Sequence, residues 1–190
     1  DNGLGGNVQR VVSLEPVYTG GGGNQEWCDW YYSSYVDGPA MAYGYTQTGQ
    51  ENSFTWKRMK AGFDIQMPII AKLLKENKIQ LQTLEESGRW FKNEFEVTPP
   101  TSVTVLSDHT DKNLKTVWFN SRFYRANLLW EKGTLRFRDI HIFDEQVTSD
   151  YLTQKGTSTQ CNYYTLPVVD GFQWSAQNQI AGLRFVQMDQ

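Results

Sequence analysis

The sequence predicts an α+β chain, with a short, partly barrel-like α/β segment over residues 1–97 and an antiparallel β-sandwich over residues 101–190. Three observations support this prediction. Apolar residues recur every three or four positions between residues 63 and 74, which is the spacing of one helix face. From residue 102 onward the apolar runs are short and separated by turn residues. Between the two patterns lies Pro99-Pro100, a stiff connector that neither a helix nor a central strand tolerates.

The chain is expected to open with a strand, because Val8 to Leu14 is rich in β-branched residues and ends at Glu15-Pro16. Four consecutive glycines, Gly20 to Gly23, then predict a mobile loop, since ordering them costs much conformational entropy. The next segment, Glu26 to Tyr32, is dense in rings and carboxylates, and we interpret it as a binding loop. A surface loop whose rings pack against one another fits the same residues.

A helix is predicted from Phe63. Asp64 is its expected N-cap, and Pro68 falls in or just after the first turn, where a missing N–H does least harm. Asn77 can end this helix in a left-handed conformation.

Residues 79–84 alternate between apolar and polar side chains and predict a strand. Ser87 is expected to cap a short helix that runs through Phe95. A helix, a short strand and another helix in this order form the repeating unit of a βα barrel or a doubly wound sheet.

Acidic residues follow both predicted strands of this half: Glu15 after the first, and Glu85 and Glu86 after the second. Active groups in βα folds lie where strands end. Two carboxylates facing each other across a cleft can cleave a glycosidic bond. We therefore predict Glu15 and Glu85 as catalytic residues, although a Glu in this position also commonly caps a helix or forms a surface ion pair.

The aromatic content is high, with 7 Trp, 10 Tyr and 10 Phe. Such amphipathic rings suit the flat faces of sugars. We predict that Trp27, Trp30 and Tyr31 form a sugar platform, and that Asp29 and Glu86 also contact the substrate. Rings that fill the core of a β-sandwich are the alternative.

The second half predicts successive strands at residues 102–106, 116–119, 123–130 and 134–137. Turn signals separate them at residues 107–113, 120–121 and 131–134. After a polar loop at residues 149–162, extended structure is expected again at residues 163–169.

In the run from Thr134 to Phe143, the side of the strand that is buried is predicted to change near Arg138-Asp139. Leu135 and Phe137 share one parity, whereas Ile140 and Ile142 take the other. A β-bulge or a crossing between two sheets produces such a change.

Charge and hydropathy exclude several partners. The net charge is −3, and no apolar run is long enough to span a bilayer. Basic residues interleave with rings between Lys115 and Arg138, a pattern that can bind single-stranded nucleic acid. Because a half-exposed strand produces the same alternation and the chain is acidic, we expect no nucleic-acid partner.

The metal-binding residue types are sparse. Cys28 and Cys161 can either form a disulfide between the two halves in an oxidising compartment or remain buried thiols. Asp108, His109 and Asp111 can together hold a cation, but no paired-histidine motif accompanies them. Phosphate-binding, dinucleotide-binding and serine-hydrolase motifs are also missing, so we predict no metal and no cofactor.

The stretch from Leu84 to Phe91, followed by Thr98 to Val103, resembles the end of a catalytic barrel in secreted bacterial carbohydrate-active proteins of the polysaccharide deacetylase-like and related glycoside hydrolase type. Residues 116–145 are similar to the β-sandwich appended to such barrels. The resemblance spans residues 63–145 and is one of pattern. It implies a carbohydrate partner and an extracellular or periplasmic location.

Two departures weaken the enzymatic part of this resemblance. The metal-binding Asp and paired His of the deacetylases have no counterpart here. A complete barrel needs about 250 residues, far more than residues 1–97 provide.

We therefore expect a portion of a carbohydrate-active enzyme acting on a polysaccharide or glycoconjugate, beside a neighbouring domain and inactive alone if the barrel is truncated. The alternative is a non-catalytic glycan-binding or structural accessory module. A row of rings on a flat sheet face favours binding, whereas carboxylates converging in a cleft favour catalysis.

Overall fold

The computed structural model describes residues 12–48, 54–157, 166–171, 173–176 and 179–186. Helices come first and strands follow, so the mixed α+β class is confirmed. The helices are α1 (Gln25–Val36), α2 (Thr55–Lys75) and α3 (Leu84–Glu94), and a short 3-10 turn lies at Asp150–Leu152. The strands are β1 (Thr101–Val105), β2 (Lys115–Asn120), β3 (Tyr124–Glu131), β4 (Thr134–Ile142), β5 (Leu166–Asp170) and β6 (Leu183–Arg184).

The strands form one open antiparallel sheet in the order β1-β2-β3-β4-β5. Strand β6 also pairs with β4, so β5 and β6 lie along the same edge of that strand. The described residues do not form the two facing sheets of the expected sandwich. Short alternating strands fit either architecture, and here each consecutive strand from β1 to β5 pairs with the one before it.

The predicted change of buried side in β4 is confirmed as a β-bulge. Asn127 lies opposite Asp139, whereas the next residue, Leu128, lies opposite Phe137. Arg138 is therefore the extra residue on β4. The hairpin between β3 and β4 is closed by Lys132 and Gly133, whose positive φ values of 50° and 77° give the twist that two-residue hairpin turns require.

The helical half is built around α1 and α2. Residues 26–32 lie in α1, so the interpretation of this segment as a loop was wrong. The Asn24 side chain caps the helix by accepting a hydrogen bond from the Trp27 amide at 2.9 Å. The core joins residues of α1 to residues of α2: Trp27, Cys28, Tyr32, Ile70 and Leu73.

The glycine-rich segment before α1 is tightly packed, contrary to the expected mobile loop. Gly21 and Gly22 are buried, and a Cβ added to Gly22 would lie 2.0 Å from the Leu14 carbonyl oxygen. Gly62 of α2 has the same role, since its Cβ would lie 2.2 Å from the Pro16 carbonyl oxygen. Because these glycines have no side chain, the backbone at Gly22 can lie against Leu14, and the backbone of α2 at Gly62 can lie against Pro16. The second contact packs the segment before α1 against α2.

Helix α2 begins at Thr55 and not at Phe63. Asp64 therefore lies inside the helix, where it pairs with Lys60, and is not an N-cap. Pro68 also lies inside the helix, on its exposed side. The expected left-handed residue after the helix is confirmed, because Asn77 has a φ of 55°.

No strand precedes α3 within the described residues. Residues 79–83 are irregular, and Thr83, not Ser87, caps the helix through a capping box with Glu86. The first predicted strand lies partly outside the described residues, and residues 12–14, which are described, belong to no strand. The expected βα repeat is therefore not formed.

The connection between β1 and β2 is organised by one carboxylate. Asp108 accepts four hydrogen bonds, from the Thr110 hydroxyl and from the amides of Thr110, Lys112 and Leu114. Partial burial acts to raise the pKa of Asp108, but the hydrogen bonds outweigh it and lower the pKa to about 2. The carboxylate oxygens of Asp108, one of the residues considered as cation ligands, therefore already accept hydrogen bonds within the loop.

We expect Asp108→Asn to destabilise the protein at neutral pH by about 1 kcal/mol, because an amide cannot reproduce both accepting oxygens and the site is close to solvent. The folded-state pKa lies below the unfolded value of about 3.9, so this stabilisation exists above pH 4 and is lost as the pH falls towards about 2. Urea unfolding of the wild type and variant from pH 7 to pH 3 should show the difference shrinking below pH 4. Asp64→Asn, an exposed ion-paired control, should show a small difference throughout.

The two halves meet where α1 approaches the β1 end of the sheet. Trp30 donates a hydrogen bond from Nε1 to the Ser107 carbonyl oxygen at 2.6 Å, and its ring lies 5.8 Å from the ring of His109.

None of the helices in the described residues has the length and apolarity needed to cross a bilayer.

Candidate functional site

Of the predicted catalytic residues Glu15 and Glu85 and the predicted substrate-binding residue Glu86, the last two have local partners for their carboxylates. Glu85 pairs with Arg89 one turn along α3, and Glu86 accepts hydrogen bonds from the amide and hydroxyl of Thr83. These hydrogen bonds lower the pKa of Glu86. Glu15 lies half-buried before α1, and its amide donates to the Ser13 hydroxyl. Helix capping and surface pairing, the alternative considered for these residues, account for Glu85 and Glu86.

The structure brings the predicted platform rings together on α1. Trp27 stacks on Tyr31 with ring centroids 5.0 Å apart, and Trp30 lies 6.0 Å from Trp27. Trp27 is only 7% exposed, and the Tyr31 hydroxyl is 2.7 Å from the hydroxyl of Thr46. Their faces are thus used largely in packing, while Asp29 is exposed and accepts a hydrogen bond from Gln25.

Cys28 is a free, buried thiol that donates towards the carbonyl oxygens of Gly21 and Gly22 at 3.7 and 3.6 Å. Burial raises the pKa of this thiol, which suits a packing role. Cys161, the other residue of the proposed disulfide, lies outside the described residues.

A buried cluster of three titratable residues lies at the β4–β5 edge. Asp139 and His141 are two residues apart on β4, so both point to the same face of the sheet. Asp170 of β5 lies directly opposite Asp139 and joins them. One ligand atom from each of the three lies within 4.8 Å of the others. We call Asp139, His141 and Asp170 the acidic-histidine cluster.

The geometry of the acidic-histidine cluster centres on the imidazole. His141 Nε2 lies 3.4 Å from Asp139 Oδ2 and 3.3 Å from Asp170 Oδ2. Both separations exceed the usual 2.7–3.2 Å of an N–H···O hydrogen bond. Two ligand atoms bound at about 2.0–2.1 Å to a tetrahedral ion are about 3.4 Å apart. The spacing therefore matches two edges of a metal coordination polyhedron.

Neighbouring groups orient both carboxylates. Asp139 Oδ1 accepts from Arg125 Nε at 2.9 Å, and Asp170 Oδ1 accepts from the Gln173 amide at 2.8 Å. Arg125 Nη2 also lies 3.3 Å from Asp139 Oδ2. Both oxygens of Asp139 therefore accept from Arg125, and in each of the two carboxylates Oδ2 faces the imidazole. Outer-shell contacts of this kind are typical of metal ligands.

A further oxygen lies beside the cluster. Asn127, directly opposite Asp139 on β3, is fully buried, and its Oδ1 has no hydrogen-bond donor among the described residues. Its amide nitrogen donates to Thr116 Oγ1 and to the Val117 carbonyl oxygen, both on β2. Because the nitrogen and oxygen of an amide diverge, the oxygen is not directed at these two acceptors. A buried acceptor left without a donor is costly, and a cation or a metal-bound water satisfies it.

Burial makes the charge balance of this cluster important. Asp139 is 0% exposed, and His141 and Asp170 are 4% and 5% exposed. Isolated buried carboxylates are strongly unfavourable unless a cation compensates them. Arg125 supplies one positive charge for the two carboxyl groups, and a bound cation would add further compensation.

This cluster was not predicted from the sequence. No paired-histidine motif contains His141, and here its imidazole lies between two carboxylates. The signal that was present is Asp139 and His141 two positions apart in a predicted strand, a spacing that places both on one face. Asp170 is distant in sequence, and only the pairing of β5 with β4 brings it to the cluster.

The opposite face of the sheet carries exposed rings. Tyr124 and Trp130 of β3 point to that face and are 44% and 45% exposed. Phe119 of β2 lies 5.3 Å from the Tyr124 ring, and Ile142 of β4 is the cross-strand partner of Tyr124. We call Phe119, Tyr124, Trp130 and Ile142 the aromatic face.

Comparison of the chain with known protein families, with curated proteins and with solved structures finds no match. The function is therefore inferred from the acidic-histidine cluster and the aromatic face.

Proposed function

We propose that the chain binds one divalent transition-metal ion through Asp139 Oδ2, His141 Nε2 and Asp170 Oδ2. The observation that carries this proposal is the spacing of the imidazole nitrogen from the two carboxylate oxygens, 3.4 and 3.3 Å. Those values suit ligands on a common ion better than hydrogen-bond partners. The outer-shell contacts from Arg125 and Gln173 support the same assignment.

The ligand types indicate which ions fit. One imidazole nitrogen and two carboxylate oxygens suit Zn²⁺, Mn²⁺ or Fe²⁺ better than Ca²⁺ or Mg²⁺, which prefer oxygen ligands alone. The single histidine distinguishes this cluster from the paired histidines of the deacetylases.

Three protein ligands leave a coordination position for a water molecule, for Asn127 Oδ1 or for a ligand group. A metal in such a position lowers the pKa of bound water and polarises bound oxygen atoms. Metal-assisted hydrolysis is the reaction class that this arrangement supports, whereas a fourth protein oxygen would make the ion structural. The occupant of the fourth position decides between the two roles.

Metal content tests the proposal directly. Untagged protein stripped with EDTA and reconstituted with Co²⁺ should take up one ion per chain and develop the visible absorption of a low-symmetry site. Elemental analysis of protein reconstituted with Zn²⁺ should give the same stoichiometry, and thermal stability should rise with free metal because the ion binds only the folded chain.

Variants locate the ion. His141→Ala should abolish stoichiometric uptake, and Asp170→Asn, which preserves the side-chain shape at the sheet edge, should weaken it. His109→Ala removes the other histidine of the chain and is the matched control. If the stripped wild type takes up no stoichiometric metal, the cluster is held together by contacts among its own side chains alone, and the proposal is wrong.

A second candidate function is glycan binding by the aromatic face. The exposure of Tyr124 and Trp130 on one face of an open sheet is the arrangement expected of a binding module. Rings presented side by side on a sheet can stack on successive sugars. This proposal places the glycan on the sheet, at residues different from the platform expected on α1.

Titration against soluble polysaccharides tests the second candidate. Tyr124→Ala and Trp130→Ala should each weaken binding about fivefold, corresponding to about 1 kcal/mol per stacked ring. Trp56→Ala is the control, because Trp56 is 59% exposed but lies on α2. Equal losses in all three variants, or no binding by the wild type, would contradict the assignment.

A further inference from the structure

The edge of the sheet beyond β4 is shared by two strands. Strand β5 pairs with the second half of β4, and β6 pairs with Arg136 and Phe137 of its first half. Between these two strands the structure describes residues 171, 173–176 and 179–182. Among them, the Ser175 hydroxyl donates to the Gly171 carbonyl oxygen at 2.5 Å and accepts from the Ala181 amide at 3.1 Å. Ser175 therefore connects the residues that follow β5 to those that precede β6.

Two arginines face each other where the chain returns to the edge. Arg184 of β6 lies directly opposite Arg136 of β4. Like charges in this position are destabilising, because directly opposed side chains are close neighbours. The Arg184 side chain has no ion pair or hydrogen bond within the described part of the chain. Arg136 has one acidic partner, Glu131, at 3.4 Å.

Arg136 is also incompletely satisfied. It is 5% exposed, and its Nε has no hydrogen-bond acceptor among the described residues. Burial lowers the pKa of Arg136, Glu131 acts to raise it, and the nearby Arg184 lowers it further. Arg138, the bulged residue, adds a third guanidinium to the same region and lies over the Trp118 ring at 5.8 Å. The region therefore carries an excess of positive charge.

A cavity of about 420 Å³ opens beside these arginines. It is lined by Trp174, Gln179, Ile180, Ala181 and Arg184. The Arg136 side chain packs against Gly182, next in sequence to the lining residue Ala181, since a Cβ added to Gly182 would lie 3.3 Å from Arg136 Cδ. The Trp174 side chain is about half-exposed, so it offers a ring wall to a ligand in the cavity.

We propose that this cavity binds a small organic oxyanion, whose carboxylate or phosphate group pairs with Arg184 and whose body stacks against Trp174. The group would partly neutralise the positive charge of the opposed Arg136 and Arg184, and the guanidinium of Arg184 is well suited to bidentate contacts with such an anion. The site uses none of the metal ligands, so it stands independently of the proposed metal centre.

The probes are inorganic phosphate, glucuronate and glucose, each titrated calorimetrically into EDTA-stripped protein at matched chloride ionic strength. Stripping removes any metal to which these anions could coordinate. Phosphate and glucuronate should bind and glucose should not. Arg184→Gln, a change on the surface, should weaken binding of both anions about tenfold or more, because a charge-assisted hydrogen bond is lost.

Two further variants separate the parts of the proposal. Trp174→Ala should weaken glucuronate but not phosphate, and equal affinity for glucuronate in this variant would overturn the stacking assignment. Arg89→Gln is the control, because Arg89 is an exposed arginine of α3. Anion binding that is absent from the wild type, or unchanged in Arg184→Gln, overturns the oxyanion site whatever the result for the metal.

Discussion

Replacing Gln66 with leucine is expected to destabilise the protein by about 3 kcal/mol and to lower its melting temperature by roughly 10 °C. Gln66 is fully buried, and its Nε2 donates to the carbonyl oxygens of Leu14 and Gly22, each at 2.7 Å. Its Oε1 accepts from the Tyr32 hydroxyl at 3.4 Å. One side chain of α2 thus connects α2 to the glycine-rich segment and to α1.

Leucine fills nearly the same volume but satisfies neither carbonyl. Each buried acceptor left without a donor costs about 1–3 kcal/mol, so the hydrogen bonds and not the packing determine the loss. Urea unfolding monitored by circular dichroism measures it. Gln82→Leu, on an exposed glutamine, should change the stability little.

Gln66→Glu sharpens the test, because a carboxylate would face two carbonyl oxygens. The folded protein must then hold the carboxyl protonated, so its folded-state pKa lies above the unfolded value of about 4.3. The variant should be most stable at low pH and lose stability as the pH rises through that folded-state pKa. If Gln66→Leu is as stable as the wild type, or if Gln66→Glu shows no such pH dependence, the role assigned to this side chain is wrong.

The strands of the second half could be predicted because each is a local pattern. Strands β1 to β4 lie within a few residues of the predicted positions, and the parity change in β4 identified the bulge at Arg138. The number of sheets could not be predicted, because it depends on which faces meet in space. A strand with one apolar face fits a single sheet or a sandwich equally well.

The helical half was predicted less well for a related reason. Four glycines were taken as a source of mobility, but mobility depends on whether other atoms surround the backbone. Gln66 of α2 donates to the Gly22 carbonyl oxygen, and Gly62, one turn away, packs against Pro16; no local pattern shows either contact. The ring-rich segment after the glycines was taken as a loop, although Asn24 is a good N-cap and the segment forms α1.

The acidic-histidine cluster illustrates the same limit at a site. Asp139 and His141 are separated by one residue, and their common face follows from the strand that contains them. Asp170 and Arg125 reach them only through the pairing of β5 and β3 with β4. Glu85 and Glu86 could be picked out from the sequence alone, because they follow a predicted strand. In the structure they instead have the local partners expected at the start of a helix.

Arg125→Met is expected to have the second large effect, a loss of about 3 kcal/mol in metal-free protein. Arg125 donates to both oxygens of Asp139, at 2.9 and 3.3 Å, and Asp139 is 0% exposed. Removing the guanidinium leaves a buried carboxylate without its hydrogen-bonding cation. Arg122→Met is the matched control, because Arg122 pairs with Glu145 at the surface and such pairs contribute less than about 1 kcal/mol.

A double variant separates loss of charge compensation from loss of packing. In Arg125→Met with Asp139→Asn the buried charge is absent, so the pair should be less destabilised than the sum of the single variants. Strict additivity, measured by urea unfolding in EDTA, would contradict the ion pair.

The same variant connects the ion pair to the metal. A divalent ion beside Asp139 compensates the carboxylate that Arg125→Met leaves uncompensated, so saturating the protein with Zn²⁺ should reduce the cost of the substitution. In a cluster held together by ion pairing alone, the cost would be the same with and without metal. If the substitution lowers the free energy of unfolding equally with and without Zn²⁺, the metal does not bind at Asp139, and only the pairing with Arg125 is supported. If Zn²⁺ reduces the loss, the ion binds at the carboxylate that Arg125 orients.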